Sequence, residues 1–259
     1  FRAYSIVLLY LSIVELSTAI CYLLVFKKIM STSSYSINVV RGICRHWGFP
    51  SVCFSLNAIQ LAGFAHYAVM IAFCACFRYY VLIRGEPRGS RVLLALFVLH
   101  LPTVVIYFSF ARCPLLEGSE LERAMNESHP EYEREADDML LVTHRGMAAF
   151  LAGAWVQLNI VPVIVFIFVA SCKISSVLAA VGHMSTKSRM RHTQILRALL
   201  WQASLPVLYA LTIVVYRAER ESVSRNSQLV HVQPMIAAVM TALSPLLTIY
   251  FTPPYRDAL

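Results

Sequence analysis

Asn57, Gln60, Phe64, Tyr67 and Ile71 follow an i, i+3, i+7 spacing, which puts them on one face of a helix. Two amides, a phenol and two apolar groups do not break bonds. They can hold a small molecule by hydrogen bonds and contact, so such a face meets either a pocket or a neighbouring helix. His66 points the other way. Polar residues recur later, with Gln202, Pro206 and Tyr209 within two turns of one apolar run and Gln233-Pro234 opening the next. Gln157 and Asn159 cannot share a face, and His100, next to Pro102, reads as a satisfied helix contact. Glu15 lies within "LSIVELSTAI", where an unpaired charge in hydrocarbon costs about 3 kcal/mol. It is expected to face other helices, protonated or paired. The expectation is one cavity lined by Asn57, Gln60, Phe64, Tyr67, Gln202, Tyr209 and Gln233.

Reaction chemistry has no foothold here. The chain holds no H-E-x-x-H, no G-x-S-x-G and no phosphate-binding glycine loop. Its seven cysteines form no C-x-x-C pair, so no metal or redox centre is expected, and no cofactor. No pair of acids lies within the apolar runs.

The elements that position these residues follow from composition. Hydrophobic residues make up 58% of the 259 and charged ones only 14%, well below the quarter or so of a soluble domain. Mean hydropathy is +0.64. Six apolar runs reach the ~20 residues that a helix needs to cross a bilayer. They lie near Tyr4–Phe26, Val52–Cys76, Val92–Phe110, Ala148–Cys172, Ile195–Tyr216 and Leu229–Phe251. Barrel strands would be shorter and strictly alternating, and nothing here alternates. The fold class is therefore an all-α, polytopic bundle of transmembrane helices in a single domain.

The net charge of +8 does not imply nucleic acid, because the cations sit in short clusters between apolar runs. Six spans put both ends on one side. With those ends inside, Lys and Arg divide evenly across the membrane, eleven to eleven, so their count does not fix the orientation. Eleven acids would lie outside and only Glu86 and Asp257 inside. The sequon Asn126-Glu127-Ser128 sits in the acidic stretch Glu117–Asp138 and favours the same choice, since glycosylation needs a lumenal loop. That stretch reads as a solvated, mobile hairpin, partly helical. Lys187, Arg189 and Arg191 open the fifth run, where they oppose the helix dipole but suit an anionic inner leaflet. They serve as a lipid anchor or as a docking face for a cytosolic partner.

Several stretches carry a resemblance. "FRAYSIVLLYLSIVELSTAI", "GICRHWGFPSVCFSL", "CFRYYVLIRGEPR", "HMSTKSRMRHTQILRALLWQASLPVLYAL" and "SPLLTIYFTPPYR" resemble spans two, three, six and seven of nematode serpentine chemoreceptors, class delta (Srd), in the Str-like branch. The resemblance covers nearly the whole chain and fails in the acidic loop. It implies a G-protein-coupled fold, a small-molecule ligand, a heterotrimeric G-protein partner and no catalysis. It also implies a plasma-membrane site, the sensory cilium, and a further helix before Phe1. Arg78 in "FRYY" takes the place of the arginine that closes the third helix of such receptors, but Phe77 stands where an acid commonly precedes it. Any resting-state lock must use another partner. The resemblance puts Arg78, Tyr79, Lys187, Arg189 and Arg191 at the G-protein face. It also lets Cys44 or Cys53 pair with Cys113. Cys44–Cys113 is expected, since Cys53 falls inside the helix. The alternative from another class is a six-span transporter of small solutes.

Overall fold

The computed structural model describes residues 2–29, 35–128, 138–144 and 146–180, together with single positions of the later chain at 201, 204, 207, 208, 211, 236, 239 and 243. The runs expected at 195–216 and 229–251 lie outside the described residues apart from those positions. So do Lys187, Arg189, Arg191, Gln202, Tyr209 and Gln233, and the side chain of Gln157.

Helix α1 spans Arg2–Val25, α2 Pro50–Arg84, α3 Gly89–Ala111, α5 Met147–Leu158 and α6 Ile160–Ala180. Among the described residues, four stretches are long and apolar enough to cross a membrane: Ala3–Val25, Pro50–Arg84, Gly89–Ala111 and Phe150–Val177. Their burial is inverted relative to a soluble protein. Leu9, Leu16, Leu23, Leu94, Phe97 and Val105 point outward with about 60% of their surface exposed, as side chains facing hydrocarbon do. A mostly helical membrane bundle is what the composition implied.

Helix α2 is the axis, with α1, α3, α5 and α6 packed around it. Small residues make this possible: Ala58, Ala62, Ala65, Ala68 and Ala75 are all buried. Apolar side chains gain little from leaving lipid, so close backbone approach and dispersion must supply the association. Gly63 allows a close approach, since a Cβ there would run into Thr18 Oγ1 of α1. That hydroxyl is itself tied back to Val14 O at 2.7 Å. Away from this contact, Val7, Leu11, Met70, Ile71 and Cys74 pack with Val92, Leu96, Val163 and Ile167.

Two boundaries differ from the apolar runs. Helix α2 continues eight residues past Cys76, because Arg78 and Arg84 end an apolar run but do not break a helix. It stops at Gly85, which adopts φ 80° and donates its N–H to Val81 O at 3.0 Å. The run expected at 148–172 is interrupted at Asn159, between α5 and α6. Pro162 lacks the N–H that would bond Leu158 O, so the ladder is broken at this turn.

A three-stranded antiparallel sheet covers one end of the bundle and had no counterpart in the sequence reading. Strands β1 (Lys27–Ile29), β2 (Tyr35–Val40) and β3 (Met139–His144) lie in the order β1-β2-β3, with Lys27 opposite Val40 and Val40 opposite Met139. One face puts Ile37, Val39, Leu140 and Val142 with Leu116 and Ala124, the latter on helix α4 (Gly118–Ser128). The other puts Val40 and Leu141 against Val25, Cys44, Cys53 and Phe54. The acidic stretch is thus helical over its first part, and residues 129–137 lie outside the described set. Strand β1 follows α1 after a single residue, and the joint is held by Arg41 N–H to Phe26 O (2.7 Å) and Gly42 N–H to Val25 O (3.2 Å). A Cβ on Gly42 would collide with the Leu24 carbonyl oxygen, so only glycine fits there.

Candidate functional site

Among the described residues, buried polar side chains occur at the sheet-capped end of the bundle, in its middle and at its far end.

At the capped end, Asn57 and Gln60 are buried on α2, at 4% and 9% exposure. Lys27 Nζ, from the first residue of β1, donates to Asn57 Oδ1. An ammonium has no acceptor, so the amide must turn its oxygen to Lys27, which leaves Nδ2 as a donor. Burial alone pulls the Lys27 amine down from 10.5 to about 7. Further along the same face, Tyr67 is buried in the main apolar group. Phe64 is half-buried with Ala62, Ala65, Ile106, Ala152 and Val156. The face expected to line a pocket therefore starts beside a buried lysine and continues into apolar clusters that include residues of α3. Its proposed partners on later helices lie outside the described residues. Glu15 is buried, at 5% exposure, on α1.

In the middle, His66 reaches from the opposite face of α2. Its Nε2 lies 2.8 Å from Tyr10 Oη, and its Nδ1 lies 2.8 Å from Thr103 Oγ1 of α3. Tyr10 Oη is also 2.7 Å from His100 Nδ1. A phenol donates one hydrogen and accepts others, so Thr103, His66, Tyr10 and His100 close a chain in either direction with both rings neutral. Three helices are joined by a network whose polar atoms satisfy one another.

At the far end, Arg78 is 9% exposed and its Cζ sits 3.8 Å from the centroid of the Tyr4 ring. Among the described residues its Nε finds no acceptor. The guanidinium is thus met by the face of an aromatic ring. Tyr79, beside it, is half-buried against Ile174 of α6.

The cysteine pairing differs from the expectation. Cys44 is bonded to Cys53, with Cα atoms 5.7 Å apart, and Cys113 is a free thiol that donates to Ser109 O at 3.3 Å. Cys53 does lie inside α2, but the short 3₁₀ turn Ile43–Trp47 folds Cys44 back onto the first turn of that helix. Cys113 packs against the same cluster without joining it. Asn126 is exposed on α4. A cavity of about 510 Å³ opens in the cap between Arg45, His46, Glu117, Leu121 and Asp138, and of the described residues expected to line a pocket, Asn57, Gln60, Phe64 and Tyr67, none borders it. One of its acids, Asp138, lies 3.8 Å from Arg41.

Sequence reasoning overlooked Lys27, Tyr4, Tyr10 and Thr103. From the sequence Lys27 is one of the eleven cations of the outer loops. It is the buried residue of a three-residue strand, and so short a strand leaves no pattern in the sequence.

The whole chain, residues 1–259, matches the family described as "Serpentine type 7TM GPCR chemoreceptor Srd". It is 22% identical to serpentine receptor class delta-1 of Caenorhabditis elegans over 266 residues, covering 100% of this chain and 71% of the relative. It is 24% identical to class delta-3 of the same organism, covering 100% and 77%. With class delta-19 it shares 25% identity, covering 85% and 66%. No solved structure matches the chain.

Proposed function

Since the chain belongs to the Srd family of serpentine chemoreceptors, an integral membrane family, we propose that it detects a small molecule at its capped end and signals through a heterotrimeric G protein at the far end. The capped end faces outward in this reading, and the far end faces the cytosol. The observation that carries it is the layout of α2: one unbroken 35-residue helix holds Asn57 and Gln60, both buried, near one end and Arg78, also buried, near the other. Asn57, Gln60, Phe64 and Tyr67 would contribute one wall of the pocket, with Gln202, Tyr209 and Gln233 opposite. Arg78, Tyr79, Lys187, Arg189 and Arg191 would form the cytosolic surface. The plasma membrane, and the sensory cilium within it, is the site that fits this role.

The test is Arg78→Gln in cells that display the protein at their surface. Signalling should disappear while the surface level holds, because Arg84, Arg88 and Arg91 still supply membrane-facing charge. Unchanged signalling, or a loss matched by equal loss of surface protein, leaves Arg78 only a structural role. Solute flux without signalling would favour the transporter instead.

A further inference from the structure

The Lys27 side chain is an unusual thing to bury. It is 6% exposed and bonds one neutral amide, and among the described residues no carboxylate pairs with it. A buried ammonium without a counter-charge is costly, and proteins resolve this by pairing it or by leaving it neutral. The other cap cations are treated differently: Arg41 is partly exposed and has Asp138 beside it.

We propose that Lys27 is the anion-recognising group of the ligand pocket, and that the ligand is a small molecule with one carboxylate head and an apolar tail. This deepens the receptor reading above and rests on it. The ammonium has two N–H donors left after Asn57, and Asn57 Nδ2 is a third, so the two oxygens of a carboxylate find a set of donors already in place. Gln60 lies one turn further along the same face. Beyond it come Phe64 and Tyr67, with Phe64 about 10 Å from Asn57 along the helix, which suits a tail that is aliphatic or aromatic. The lowered affinity of Lys27 for its proton, near 7, has burial as its cause. An arriving anion would restore the charge and be held by it.

The experiment is binding of butanoate, octanoate, dodecanoate and benzoate to the purified protein, each beside its methyl ester, with the matched alcohols as neutral probes. At least one acid should bind about thirty-fold or more tightly than its ester, the scale expected for a buried charge pair. Lys27→Met should erase that difference without harming the fold, since it replaces a buried amine by an apolar chain of similar length. Lys27→Arg should keep most of the preference for acid. Esters binding as well as acids, or an acid preference that survives Lys27→Met, overturns the proposal. Binding of alcohols or esters with no acid binding overturns it too and leaves the receptor reading intact. Binding of none of these probes overturns it as well. Signalling lost in Arg78→Gln would then still support the receptor reading by itself.

Discussion

Replacing Tyr4 by leucine should raise basal signalling. In the structure Arg78 is buried and stacked on the Tyr4 ring, so its guanidinium is not available to a partner. We take this as the resting arrangement. A desolvated cation–π contact is worth about 2 kcal/mol, and removing it shifts a two-state equilibrium by up to ~30-fold. Leucine keeps the apolar contact that Tyr4 makes beside Phe77 but offers no ring face. Phenylalanine keeps the ring and loses only the hydroxyl. Basal G-protein turnover, measured at matched surface expression and without ligand, should rise several-fold or more in Tyr4→Leu and stay near wild type in Tyr4→Phe. Equal basal turnover in all three proteins would refute the argument. A rise of equal size in both variants would assign the effect to the hydroxyl rather than to the ring.

Three other outcomes follow from the cap. In Cys113→Ser, peptide mapping of the alkylated protein should still find Cys44 joined to Cys53, whereas a Cys44–Cys113 peptide in the wild type would contradict the pairing seen here. Gly42→Ala should lose about 1–3 kcal/mol or more and much of its surface expression, because the colliding atom is a backbone oxygen that cannot rotate away. Gly146→Ala, with nothing near its Cβ, is the control, and equal loss in both would dismiss the steric account. The third outcome concerns pH. The Lys27 amine has a lower pKa folded (about 7) than unfolded (10.5), so the unfolded chain holds more protons between those values. Its cost to stability is therefore full below about pH 7 and shrinks as pH rises towards 10.5, by up to about 1.4 kcal/mol per pH unit. The stability of wild type relative to Lys27→Met should climb from pH 7 to 9, and a flat difference would show that the amine is not buried.

What the sequence disclosed was whatever depends on runs and on helical phase. Apolar length alone located α1, α2 and α3, and the wheel put His66 opposite Asn57 and Gln60, where it meets Tyr10 and Thr103. Contacts that close over long separations stayed hidden. The β2–β3 register joins residues about a hundred positions apart, and β1 is too short to announce itself. Without that register Lys27 looks like any cation at the end of a span. The cysteine pairing failed for a related reason. Membership of a helix was taken to separate Cys53 from Cys44, but the turn between them is tight enough to bring the two together. The choice of Tyr4 as partner to Arg78 needed the antiparallel alignment of α1 and α2, which no local pattern encodes.

The close approach of Gly63 to Thr18 gives α1 a fulcrum. Val25 lies about 10 Å from Thr18 along the helix on one side and Tyr4 about 21 Å on the other. The arm at the capped end is fastened to the sheet through Phe26, and the other arm ends at the ring that holds Arg78. A rigid α1 pivoting there would move Tyr4 about twice as far as Val25, and in the opposite direction. A ligand that tugs Lys27 by a fraction of an ångström would thus be read at the far end with gain. Paired distance probes at the two ends of α1 should change with opposite sign on ligand binding, and Gly63→Val, by forcing the pivot apart, should uncouple them.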